Sequence, residues 1–280
     1  MFHVKQKIKM IVKDHFLTGE SFEIKKISKG VMSTFPKIDN KKLKPYYNSK
    51  SYYSHNTTSS IMSLLYSWSS RFMTKKKINL ISSLLKNKDS LLDFGCGKGD
   101  FLLAAKKSGF DVAGIEFLSS LQKELNKKNI KFYEKLEQLS KSVSAITFWH
   151  SLEHLNDLNQ TLILSRKNLK ESGILIVAVP NYDSFDSKYY KCFWAAFDAP
   201  RHRFHFNKRG IINTVQKHGF KHLYNKPMFL DAIYISILSE KYKGSKMYFI
   251  KGLIVGLFSN LLALFTKQSS SNIFIFQKMN

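Results

Sequence analysis

Short apolar runs alternate with stretches of helical spacing from residue 90 onward. Strands are predicted at Leu91–Phe94, Asp111–Glu116, Ile130–Tyr133, Ala145–Trp149 and Ile174–Val179, and helices over about 99–108, 118–128 and 157–169. Such alternation predicts a parallel sheet covered on both faces. Gly109 and Gly173 precede strands, where a helix C-terminal cap would put them. Upstream, apolar residues at 61, 64, 65, 68 and 72 and then at 78, 81, 84 and 85 predict one or two helices. Downstream, a helix at 208–218 ends at Gly219, a strand follows over 220–225, and the last strand is 273–277. The interval of about 228–270 is predicted to be helical. Residues 1–40 are basic and weakly periodic, and Lys44–His55, rich in tyrosine and hydroxyls, reads as a loop.

The first predicted strand runs into Leu-Leu-Asp-Phe-Gly-Cys-Gly-Lys-Gly-Asp, residues 91–100, and Glu116 ends the second strand nineteen residues after Gly97. Glycines at 95, 97 and 99 let the chain turn sharply and bring bare backbone against a ligand, and the helix that follows offers unpaired N–H groups. A dinucleotide fingerprint would need glycine at Asp100, and a phosphate-binding loop a hydroxyl at Gly99.

The D-x-G-x-G-x-G loop followed by an acid closing the second strand resembles the first two motifs of the class I S-adenosylmethionine (SAM)-dependent methyltransferases, over roughly residues 60–280. The resemblance implies a Rossmann-like α/β fold, with a seven-stranded mostly parallel sheet whose final strand is antiparallel, and SAM as cofactor. It implies that Asp93, Gly95, Cys96, Gly97 and Gly99 line the methionine side of SAM, with Trp149 and His150 at the edge of the fourth strand, and that Glu116 grips the ribose hydroxyls. Residues 1–58 form an extension and 59–280 the catalytic domain. Within the extension, 22–36 resembles the second half of a small zinc ribbon found ahead of some bacterial members, but Ile27 and Gly30 stand where the cysteines would be. Without thiolates there is no tetrahedral zinc site. Tyr46, Tyr47, Tyr52 and His55 are candidates to close over SAM, a solvated linker being an equal account.

A second informative stretch, Trp194-Ala-Ala-Phe-Asp-Ala-Pro-Arg-His-Arg-Phe-His-Phe, resembles a W-x(3)-D-x-P-R-H-x-x-H-F element of one bacterial subgroup. Methyl transfer is an in-line displacement, so the protein mainly aligns a nucleophile and excludes water. A histidine can take a hydroxyl's proton. His202 is the leading candidate base and His150 the second, while Arg201 could hold a substrate carboxylate or phosphate, or else pair with Asp198 to shape the loop. Glu153 and His154 are expected to open a helix. The pair His202-x-x-His205 could be half a metal site, but no further ligands at convincing spacing accompany it, and no metal is expected.

Composition adds a large positive charge, 45 Lys and Arg against 20 Asp and Glu. The cations are dispersed and nearly all lysine, as an A/T-rich genome would produce, so nucleic acid is not the expected partner despite the charge. The reading is therefore a methyltransferase acting on oxygen or carbon of a small molecule, the alternatives being a nucleic-acid methyltransferase and a non-catalytic SAM-binding scaffold. Two cysteines give no disulfide framework, and the N-terminus has no continuous apolar core of a signal peptide, so a cytoplasmic setting is expected. Gly252–Phe265 is a nearly uncharged run of fourteen residues, short of the ~18–20 that span a bilayer, and is expected to be a core or interfacial helix that could touch a membrane peripherally.

Overall fold

The computed structural model describes residues 9–39, 46, 61–85 and 89–279. Its centre is a seven-stranded sheet built from β4 (Ser90–Phe94), β5 (Asp111–Ile115), β6 (Lys131–Tyr133), β7 (Val143–Trp149), β8 (Leu169–Pro180), β10 (Phe220–Pro227) and β11 (Ser271–Lys278). The spatial order is β10-β11-β8-β7-β4-β5-β6. The five strands from β6 to β8 are mutually parallel, and β11 runs antiparallel to both β8 and β10. Successive residues of β8 enter opposite cores: Ile174, Ile176 and Ala178 pack on one face, Leu175, Val177 and Val179 on the other. Burial on both faces is why these strands read as continuous apolar runs.

Helices α1 (Ile61–Leu84), α2 (Asp100–Lys107), α3 (Ser119–Lys127), α4 (Leu158–Asn168), α5 (Phe185–Tyr190) and α6 (Lys208–Gln216) connect or flank the strands. The Asp157 side chain caps α4 by accepting from Gln160 N, and Asn207 caps α6 through Gly210 N. Two local expectations fail. Gly173 lies inside β8, which begins at Leu169, so it caps no helix. Glu153 and His154 form a single 3-10 turn, Leu152–His154, and α4 starts only after Asp157.

The basic N-terminal segment is a three-stranded antiparallel meander, β1 (Lys9–Lys13), β2 (Ser21–Ser28) and β3 (Val31–Phe35), not an irregular stretch. Its third strand pairs with β9 (Phe204–Phe206), which arises from the loop after β8. Of the aromatic segment at 44–55, only Tyr46 is among the described residues.

Between β10 and β11 the chain makes a helical hairpin, α7 (Phe229–Tyr242) and α8 (Tyr248–Thr266). The buried face of α8 is Gly252, Gly256, Ser259 and Ala263, a row of small residues that lets the two backbones approach. A Cβ at Gly256 would lie 2.6 Å from Ile233 Cα and 2.8 Å from Ala232 O, both backbone atoms of α7. Gly256→Val should therefore destabilise the fold by about 1–3 kcal/mol, the usual cost of overpacking, seen as a lower urea midpoint. An unchanged midpoint would mean that the hairpin is not close-packed.

Candidate functional site

The glycine loop and the ends of β5 and β7 meet at one edge of the sheet, the carboxyl edge where ligands bind in doubly wound folds. Gly97 has φ 56° and nothing within 4 Å of a built Cβ, so the loop presents bare backbone to open space there. Gly99, at φ 73°, is instead packed, a Cβ reaching Ile130 Cδ1 at 2.9 Å. Glu116 reaches back across the loop, accepting from Gly97 N (3.0 Å) through Oε2 and from Leu118 N (2.9 Å) through Oε1. A carboxylate has about four acceptor sites, so acceptor capacity remains beyond these two bonds. Burial raises the pKa of Glu116. Asp93 accepts from the Thr147 hydroxyl at 2.7 Å. Burial, with repulsion from Glu116, pushes its carboxyl up to about 7 against the opposing pull of Thr147 and Lys77.

Cys96 does not face this cleft. Its Sγ fills the space beside Gly114 in the core, and burial drives its thiol pKa well above the usual range. Trp149 stacks edge-on against Phe101 at 5.8 Å, and the Lys77 ammonium lies 4.4 Å from the Trp149 ring centroid. Burial lowers the Lys77 pKa, while the charges of Asp93 and Asp231 pull the other way. Trp149 Nε1 is buried and has no hydrogen-bond partner among the described residues. An orphaned donor, an open backbone cradle and a carboxylate with spare acceptor sites at the ends of neighbouring strands suit an adenosyl-amino acid.

Next to this edge lies a cavity of about 690 Å³, walled by α7, the 194–202 loop and the turn at His15 and Phe16. His150 sits at its wall with φ 53°, a left-handed conformation that a non-glycine residue adopts only when its surroundings require it. Its Nε2 is 3.0 Å from Asp231 Oδ2 and its Nδ1 is 3.4 Å from Glu153 Oε1. Burial works against the charged ring, but Asp231 and Glu153 outweigh it and push the pKa up to about 10. Glu153 is the reciprocal case: burial would raise its pKa, yet His150 and His202 hold it at about 2.

His202 also lines the cavity. Its Nδ1 donates to the Ala196 carbonyl at 2.8 Å, and its Nε2 is 3.9 Å from Asp198 Oδ2. His154 Nδ1 donates to the Arg201 carbonyl at 3.0 Å, and burial lowers its pKa to about 4. His205 turns away: the Thr34 hydroxyl spends its proton on the His202 carbonyl and accepts from His205 Nε2 at 2.8 Å. His202 and His205 thus serve different surroundings.

Arg201 is placed differently from the substrate clamp that its charge suggests. Only 1% of the residue is exposed, Nε bonds both Asp198 oxygens at 3.0 Å, and Nη2 donates to Asp14 Oδ1 at 2.9 Å. These carboxylates consume the fork that a substrate anion would need, which is the loop-shaping role that the sequence left open. Sequence reasoning missed Lys77, Asp231 and Asp14: Lys77 lies in a segment read by its apolar spacing, Asp231 in the interval read only as helical, and Asp14 in the basic, weakly periodic N-terminal stretch.

A family profile described as "Methyltransferase domain" matches residues 67–225, more than half of the chain. No curated protein matches the sequence. Among solved structures, the chain is similar to the magnesium protoporphyrin IX methyltransferase of Synechocystis PCC 6803, solved with bound SAH, at 12% identity and a TM-score of 0.57 over 86% of this chain and 100% of that one. A SAM-dependent methyltransferase from Archaeoglobus fulgidus aligns at 19% identity and a TM-score of 0.53 over 74% and 94% of the two chains. A mycolic acid cyclopropane synthase, complexed with SAH and CTAB, aligns at 14% identity and a TM-score of 0.53 over 72% and 83%. These likenesses concern the fold. The profile match over β4 to β10, on a sheet of this strand order with the glycine loop and Glu116 at its carboxyl edge, shows that the chain belongs to the methyltransferase-domain family and is a SAM-dependent methyltransferase of the class I fold.

Proposed function

We propose that the chain transfers the methyl group of SAM to an oxygen or carbon atom of a small molecule held in the cavity between α7, the 194–202 loop and the His15–Phe16 turn. The observation that carries this reading is the cavity itself. Its volume of about 690 Å³ suits a small molecule, and it adjoins the strand end that bears Trp149 and His150.

In this reading Asp93, Gly95, Gly97, Gly99, Glu116 and Trp149 hold the donor, and the acceptor loses its proton on the His202 side. His150, charged below about pH 10, cannot serve as base at neutral pH and instead fixes the cavity wall through Asp231. The β2–β3 hairpin turns at Gly30, φ 82°, and we regard it as a metal-free counterpart of the ribbon's second half.

The apolar run belongs to a longer helix than the sequence suggested, the nineteen-residue α8, long and apolar enough by composition to cross a membrane. Its small residues face α7, while Ile254, Leu257, Phe258, Leu261, Leu264 and Phe265 are exposed, Phe265 at 78%. Because α8 returns the chain from α7 to β11 of the same sheet, we propose that it lies on an anionic bilayer surface, with Lys243, Lys246, Lys251 and Lys267 at the headgroups.

Glu116→Ala should weaken SAM binding by about 1.5–3 kcal/mol in calorimetry, the scale of a charge-assisted hydrogen bond; equal affinity would remove the ribose assignment. With labelled SAM and the true acceptor, His202→Ala should keep donor affinity while turnover falls by ~10²-fold or more. Full turnover in that variant would exclude His202.

The His150–Asp231 contact should add stability that depends on pH. His150 has a folded pKa of about 10 against an ordinary 6.5, so its contribution is complete below pH 6.5 and lost as pH rises through 10. The stability gap between the parent and Asp231→Asn should shrink across that window in denaturant titrations. A constant gap would rule out a charged His150.

Sedimentation with vesicles should recover the protein on phosphatidylserine-containing bilayers and release it at high salt, with Leu257→Glu/Leu261→Glu abolishing recovery. No recovery of the parent would dismiss the membrane assignment.

A further inference from the structure

Glu153, His154 and His202 converge from two chain segments, the 3-10 turn after β7 and the loop before β9, with their ligand atoms within 4.8 Å of one another. Glu153 is 1% exposed, and neither of its carboxylate oxygens accepts a hydrogen bond among the described residues. His150 Nδ1, at 3.4 Å from Oε1, offsets its charge but leaves Oε2 with nothing. A buried carboxylate with both oxygens unsatisfied is costly and calls for a partner.

The two imidazoles are oriented as ligands. Each donates from Nδ1 to a backbone carbonyl, His154 to Arg201 and His202 to Ala196. A carbonyl can only accept, so in the neutral ring the lone pair lies on Nε2. Metal-binding histidines are held in this way, the second nitrogen fixed by a carbonyl or carboxylate.

We propose that Glu153, His154 and His202 form a binding site for one divalent cation of the zinc class, with two imidazole nitrogens and one carboxylate as ligands and an open position toward the cavity that His202 lines. Two histidines and an acid are a donor set for Zn²⁺, Co²⁺ or Fe²⁺ rather than for Mg²⁺ or Ca²⁺. The three groups would draw in to the ~2.0–2.2 Å bonds of such a centre. The binding stands on its own; the role of the open position, which would meet an acceptor's oxygen in place of the imidazole nitrogen, rests on the proposed methyl transfer into that cavity. The motif pair His202-x-x-His205 gives no sign of this site, because His205 serves Thr34 and the partner of His202 lies 48 residues upstream.

The test is to strip the purified full chain with a chelator and titrate it with Co²⁺, reading visible absorption and metal content. One equivalent should bind, be displaced by Zn²⁺ and give no thiolate charge-transfer band. Glu153→Gln should lower Co²⁺ affinity by more than the ~10–100-fold that loss of an outer-shell partner costs. X-ray absorption of the Zn²⁺-loaded parent needs no variant and should show two imidazoles and no sulfur. Failure of the parent to bind one equivalent, sulfur ligation, or unchanged affinity in Glu153→Gln would overturn the site and leave a buried water as the partner of Glu153. Methyl transfer by the stripped protein would sink only the role at the open position, and stoichiometric metal without methyl transfer would sink only the proposed function.

Discussion

A guanidinium with almost no exposed surface must find its counter-charge inside the protein, and Arg201 finds it in two carboxylates that lie far apart in the sequence. Asp198 comes from its own loop and Asp14 from the turn between β1 and β2. Removing one partner from a buried ion network of this kind typically costs several kcal/mol, because the remaining charge is stranded. The triad therefore commits the N-terminal meander and the 194–206 loop to a single mutual placement. That placement fixes the cavity wall: the Arg201 carbonyl orients His154, the Asp198 carbonyl accepts from His202 N, and Thr34 of β3 ties the His202 carbonyl to His205. The meander is a wall of the site rather than an appendage to it.

The sheet was legible in the sequence because its central parallel strands β4, β7 and β8 are buried on both faces, so each appears as a short apolar run bounded by turns. Glu116 and the glycine loop were legible for a related reason, since backbone turning and ligand approach demand particular residue types at fixed offsets. The N-terminal strands were not. The inward residues Phe22 and Ile24 of β2 alternate with Ser21, Glu23 and Lys25 over only a few positions, and β3 has four successive buried residues, which hides the period of two. Cys96 was misplaced for a different reason: its position in the loop is set by sequence, but its direction is set by the gap that Gly114 leaves on the neighbouring strand.

The site's polar pairs were the least legible part, because they join segments that no spacing rule relates. His150 meets Asp231 from the first turn of α7, and Glu153 meets His202 from the loop after β8. A carboxylate on a helix reads from sequence as a solvated residue, and only the tertiary fold reveals that it is aimed at an imidazole.

Asp231 also shows how the long insertion between β10 and β11 reaches the candidate site. Where two strands joined by a tight hairpin would leave the edge of β7 open, α7 crosses it and brings a carboxylate to His150. The helix is held there by its neighbours: α8 packs its small face against it, and the buried Asp186 accepts from Ser259 of α8, from Ser270 just ahead of β11 and from Trp194 Nε1 at the start of the His202 loop. One carboxylate thus joins the hairpin, the last strand and the loop that carries His202. If α8 rests on a bilayer, the surface it touches is two packing layers from His150, with glycines where the layers meet.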